Sequence, residues 1–208
     1  QFTSPINIAI PSGNFGNAYS AWFGRENGLP INEIFCASNV NDVLTRFISS
    51  GKLEPRETIP SVAPSMDIQI PSSLERLIYN LEGEASSFYD QLQSEKIANL
   101  TDKSTVKLQN IFSSLSFDDE MILNEIELFY KSYGWVIDPH TATALSSSAS
   151  FSSDLPVVGV ATASPEKFSI VISKIIDEFS VENKKNEEKF LVQKANSSLV
   201  ENTIKEQL

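Results

Sequence analysis

Hydrophobic and polar positions change period repeatedly along this chain, and the changes outline a succession of strands and helices. Ile6-Asn7-Ile8-Ala9-Ile10 is a short apolar run ended by Pro11, and it reads as a buried strand over residues 5–10. Residues 17–28 carry a helical pattern, with Asn17 as N-cap, Gly28 as the stop and Pro30 beyond it. Ile34 to Ala37 is the next apolar strand run. Asn39 to Asp42 opens a second helix that places Val43, Leu44, Phe47 and Ile48 on one face and stops at Gly51. Two β–α units in succession predict an α/β fold, a parallel sheet flanked by helices.

The pattern then loosens. Residues 52–71, with Pro55, Pro60, Pro64 and Pro71, read as a loop, and Ser72 to Asn80 as a helix whose Leu74, Leu77 and Ile78 face the core with Leu81. The segment 84–132 reads as mostly helical, broken near Asp102 and again near Asp118-Asp119, and is expected to be a helical insertion. Trp135-Val136-Ile137 suggests a brief strand and Pro139 to Ser146 a short helix. Residues 146–153 form a serine-rich flexible loop, Leu155 to Ala161 an apolar β run, and Pro165 to Phe179 an amphipathic helix with Pro165 in its first turn. From Val181 the chain is polar and mixed in charge, so residues 181–208 are expected to be a solvated terminal helix or tail, with a docking helix as the alternative. The folded portion is then 1–180, with its insertion at about 84–132.

Charge and cysteine content narrow the setting. A net charge of −11 without any basic stripe argues against nucleic acid as partner. No apolar run reaches membrane-spanning length, and no secretion signal is visible. The single cysteine, Cys36, sits in an apolar run and reads as a buried core thiol. One cysteine makes no internal disulfide, so a reducing, cytoplasmic compartment is expected.

The candidate chemistry lies between the first strand and the first helix, in Ser12-Gly13-Asn14-Phe15-Gly16-Asn17. Glycines allow a sharp turn that aims backbone N–H groups at a guest, and the start of a helix adds unpaired N–H groups and a positive dipole end. The predicted guest is a phosphate. Ser12 offers a hydroxyl, Asn14 and Asn17 offer amides, and no acidic side chain interrupts the loop. Neither the Walker nor the dinucleotide-binding glycine pattern is present.

Pro11 to Asn17, Gly28-Leu29-Pro30-Ile31 and Asn39 to Phe47 closely resemble the threonine synthase family. The likeness continues through Pro64 to Ser72, Glu75-Arg76-Leu77, Asp138 to Ala142 and Ala161 to Phe168, in the family's order from about residue 8 to about residue 178. The resemblance implies the large domain of a pyridoxal-phosphate (PLP) enzyme of fold type II. It implies a lyase of amino-acid biosynthesis that converts O-phosphohomoserine and water into threonine and phosphate. Ser12, Gly13, Asn14, Phe15, Gly16 and Asn17 would then hold the cofactor phosphate, and Thr162 would approach the pyridine nitrogen. Ser164 stands where the family usually has histidine, so no role is carried over from that residue.

Arg46 either holds the substrate's phosphate or pairs with Asp42, four residues earlier. His140 is read first as packing or capping its helix, with a place against the cofactor ring as the alternative. In the family the Schiff-base lysine precedes the Ser-Gly-Asn-Phe-Gly block, and Lys167 is the only lysine within a matching block. The chain is therefore expected to be a C-terminal portion that lacks the N-terminal part of the same protein. It would have no catalytic residue and no metal of its own, and be inactive alone. Two alternatives remain: a related phospho-lyase releasing a keto acid from the same substrate, and a non-catalytic interaction module built on the tail.

Overall fold

Parallel strands covered on both faces carry nearly continuous apolar sequence. The computed structural model describes residues 4–176, and β1 (Ile6–Pro11) and β2 (Ile31–Ser38) are two such strands. They pair in parallel at the centre of a four-stranded sheet. β5 (Phe112–Ser116) adds in parallel beside β2, and β6 (Val157–Gly159) in parallel beside β1, giving the order β5-β2-β1-β6. A separate antiparallel ribbon joins β3 (Lys52–Leu53) to β4 (Ala98–Asn99).

The two-residue period of β2 divides the interior. Ile34 and Cys36 enter one apolar cluster, Phe35 and Ala37 the other. The first cluster is closed by α1 (Gly16–Glu26), α2 (Val43–Ser50), α3 (Leu74–Glu82), α4 (Ser86–Glu95) and α5 (Asp102–Ile111). The second is closed by α6 (Asp119–Tyr133), α7 (Pro139–Ser146), α8 (Ser169–Ile172) and a 3-10 turn at Pro64–Met66. The parallel sheet flanked by helices is thus the expected one. In α2 the four expected side chains are buried, each contributing about 1.5–3 kcal/mol relative to exposure, and Gly51 ends the helix at φ 73°. Cys36 is fully buried, and burial pushes its thiol far above the ordinary range.

Several elements differ from the sequence reading. α1 begins at Gly16, so Asn17 lies in its first turn and Phe15 takes the cap position. The breaks near 102 and 118 are real, because Thr101 accepts from the Ser104 N–H and Asp118 from the Met121 N–H. Between them, however, Phe112–Ser116 forms a strand of the main sheet, so the stretch expected as a helical insertion contributes part of the sheet itself. Its sequence, Phe-Ser-Ser-Leu-Ser, hides this because an edge strand needs few apolar residues. Its serines bond instead: the Ser114 hydroxyl donates to the Cys36 carbonyl at 2.6 Å and lies 2.8 Å from that of Thr45.

Residues 135–137 join no sheet; Val136 and Ile137 spend their apolar character on the second cluster while linking α6 to α7. The serine-rich stretch contains a 3-10 turn, Ser147–Ser150, and is tied down beyond it by Ser152 to Glu33 at 2.6 Å and Asn7 to Ser153 at 3.0 Å. Among the described residues the helix expected from Pro165 to Phe179 is a 3-10 turn, Pro165–Phe168, followed by the single turn α8, and residues 177–179 lie outside the described residues. The tail expected over 181–208 lies outside the described residues. Among the described residues no helix is long and apolar enough to cross a membrane, and no group of three or more His, Cys, Asp or Glu gathers as a metal site.

Candidate anion site at the end of β1

The site forms where β1 runs out at the carboxyl end of the sheet, a general place for ligands in open α/β folds. The Ser12 N–H donates to Ala37 O at 2.9 Å and keeps the base of the loop on β2. The chain then bends into α1 through Phe15 at φ 69°, a left-handed conformation that bulky residues rarely adopt. What holds Phe15 there is its ring, 1% exposed and edge-on to Phe112 with centroids 5.1 Å apart.

The bend leaves its donors free. The first bond of α1 runs from Tyr19 N–H to Phe15 O, and none of the N–H groups from Gly13 to Ala18 donates to an acceptor among the described residues. Beside them the Ser12 hydroxyl, in a residue 4% exposed, also has no partner. These groups line a cavity of about 230 Å³ that is completed by Ser65, Met66, His140 and Thr162. No lysine lines it.

Two of the expected side chains are used structurally. Asn14 Oδ1 accepts from the N–H and hydroxyl of Ser72, tying the bend to the approach to α3. Arg46 gives Nε to Asp42 at 2.9 Å and Nη1 to the Glu54 carbonyl at 2.9 Å, and it does not line the cavity. Its Asp42 pairing is thus present, and its third nitrogen, Nη2, is buried without a partner. Thr162 does reach the cavity.

The opposite wall comes from the turn at Pro64–Met66. A Cβ on Gly13 would stand 2.9 Å from both the Met66 Cα and the Ser65 carbonyl oxygen, so only glycine lets the two backbones approach this closely. The strap that carries the turn is held by Asp67, whose carboxylate accepts from Asn39, Asn41 and Ser61. Behind it stands α7. Asp138 caps that helix by accepting from the His140 and Thr141 N–H groups, and it also takes the Thr141 hydroxyl. The expected capping at this helix start therefore belongs to Asp138, whereas His140 packs, with its ring 4.9 Å from that of Phe168.

Burial pushes the Asp138 carboxyl up, but the hydrogen bonds from His140 and Thr141 outweigh it and hold the group below its ordinary value. A carboxyl lowered in the folded state adds stability that is full above its unfolded value of about 3.9 and is lost as pH falls through the folded value. Asp138→Asn is expected to flatten this acid limb. Thermal unfolding measured from pH 6 down to pH 3 checks it, and a slope unchanged in the variant would refute the assignment.

No family model matches the chain. It is 31% identical over 175 residues to threonine synthase of Pseudomonas aeruginosa, covering 81% of this chain and 37% of that protein. It is 36% identical over 150 residues to human threonine synthase-like 1, covering 69% and 20%. A PLP-bound threonine synthase from Brucella melitensis superposes with TM-score 0.79 at 29% identity, over 82% of this chain and 38% of that one. The chain belongs to the threonine synthase family. Yeast threonine synthase also superposes, with TM-score 0.80 at 26% identity, over 85% of this chain and 39% of that one. The chain spans less than half the length of the threonine synthases it matches.

Sequence reasoning found the bend and the two blocks facing it, Pro64 to Ser72 and Asp138 to Ala142. It missed their mutual packing and the left-handed Phe15, for which no local pattern gives a signal.

Proposed function

We propose that the bend from Ser12 to Asn17 binds the phosphate of PLP, as part of a threonine synthase acting on O-phosphohomoserine and water to give threonine and phosphate. The observation that carries this reading is the set of uncommitted N–H groups from Gly13 to Ala18 beside the buried, unpartnered Ser12 hydroxyl. Orphan donors at a helix start suit a dianion, which satisfies several of them together. The residues present fit the group, and Thr162, on the same cavity, supplies a neutral hydroxyl for the pyridine nitrogen. When bound, PLP would supply an electron sink for carbanion chemistry on the substrate. This chain's part is to anchor and orient the group and to wall it from water with Met66 and His140.

Turnover also requires a lysine beside the cofactor, and none among the described residues lines this cavity. The 208-residue chain is accordingly expected to bind PLP without forming threonine. Phosphorus NMR of PLP titrated with the chain tests this: a saturable shift that pyridoxal, lacking the phosphate, does not compete away supports the reading. Equal competition by pyridoxal, or no saturable shift, overturns it. Arg46, already engaged by Asp42 and Glu54, has no part in this proposal.

A second reading keeps the fold and changes the reaction. It draws on the likeness to threonine synthase-like 1, 36% identical over 150 residues. A phospho-lyase of this group would remove phosphate from the same substrate and release a keto acid. Assaying threonine against keto acid with the complete protein separates the two.

A further inference from the structure

His140 is 2% exposed, and its ring is bonded on both nitrogens. The Ser65 N–H donates to Nε2 at 3.1 Å, so Nε2 carries the lone pair; the proton is then on Nδ1, which donates to Asp138 at 3.0 Å. The link continues into the bend, since Ser65 O and Met66 Cα are the atoms that a Cβ on Gly13 would meet, each at 2.9 Å. Asp138, His140, the Pro64–Met66 turn and Gly13 thus form a stack of consecutive contacts ending at the cavity. The turn is pinned at two points, by His140 at Ser65 and by the Asn39–Asn41–Ser61 cluster at Asp67. A buried N–H left without an acceptor costs more than a satisfied one gains, so removing the imidazole acceptor drives Ser65 to move.

We propose that His140 is a positioning residue for the anion bend: through the Ser65 N–H it sets the Pro64–Met66 backbone against Gly13 and so fixes the shape of the phosphate cavity. Its effect on ligand affinity rests on the phosphate reading given above, whereas its effect on the bend does not.

The chain has a single histidine, so its imidazole nitrogen signals are unambiguous in the ¹⁵N-labelled 208-residue protein. Nitrogen NMR is expected to show Nδ1 protonated and Nε2 bare. His140→Leu keeps apolar volume but removes the acceptor, and His140→Gln restores an acceptor near Nε2. The Leu variant is expected to speed Ser65 amide exchange about tenfold, to shift the Gly13 and Asn14 amide signals, and to weaken PLP binding about tenfold. The Gln variant is expected to return each of these to within about threefold of the parent.

Unchanged Ser65 and Gly13 amides in the Leu variant, or a Gln variant no better than Leu, overturn the proposal. Should the Leu variant fail to fold, the parent's imidazole spectrum decides, because a proton on Nε2 excludes the Ser65 bond. If the amides follow the acceptor while the parent binds no PLP, the positioning role stands and the phosphate reading falls.

Discussion

Gly13→Ala is expected to lower PLP affinity by about tenfold to a hundredfold and to destabilise the chain by about 1–3 kcal/mol. The new methyl would meet Met66 Cα and Ser65 O at 2.9 Å, and these are backbone atoms that no rotamer change can clear. The strap cannot simply lift, because Asp67 and Ser65 are both tied. Strain therefore passes to the bend and reorients its free N–H groups. Gly16 is the control: a Cβ there would meet only Ser73 Oγ, at 3.6 Å, an ordinary contact. Gly16→Ala is expected to leave thermal stability unchanged or slightly raised, since alanine is the better helix former. PLP titration and thermal unfolding of both variants check the pair, and a Gly13→Ala protein that behaves like the parent would refute the close-approach argument.

The second large effect is on stability. Phe15→Ala is expected to cost about 3–5 kcal/mol, the usual range for emptying an aromatic site in a core. That is a large part of the 5–15 kcal/mol by which domains are generally stable. The lost ring is the one that meets Phe112 edge-on and holds the bend in its left-handed turn. Phe15→Gly opens a still larger void but removes the backbone penalty at positive φ, about 1–2 kcal/mol for a residue with a Cβ. The glycine variant is therefore expected to be at least as stable as the alanine variant, the reverse of the usual order. Urea unfolding of the two decides it; an alanine variant clearly the more stable would show that Phe15 bears no conformational strain.

The sequence reading succeeded where one local signal decided the outcome. β1 and β2 announced themselves because both faces are covered, and α2 because four apolar residues on one face precede a glycine that must turn left-handed. The bend was legible from its glycines, although the position with positive φ proved to be Phe15. That choice is made by Phe112, nearly a hundred residues away, and propensity carries no trace of it. β5 was missed for a related reason. An edge strand of serines satisfies its polar groups on Cys36 and Thr45, and so shows no apolar alternation. For Arg46 the four-residue spacing pointed to Asp42, but nothing local pointed to Glu54, which shares the guanidinium in the fold. Trp135 to Ile137 misled because apolar residues packing a connection look the same as those of a short strand.

The order in which the sheet is assembled has a bearing on when the receptor becomes competent. β1 and β2 are near neighbours in the chain, but β5 and β6 arrive from far along it: Ser114 bonds Cys36 across 78 residues, and Asn7 bonds Ser153 across 146. Joining such distant segments is entropically slow. The ring of Phe15 has no seat until β5 brings Phe112 alongside. During refolding, then, helix content should return well before cofactor capture, with the docking of a remote serine-rich edge as the event that separates the two.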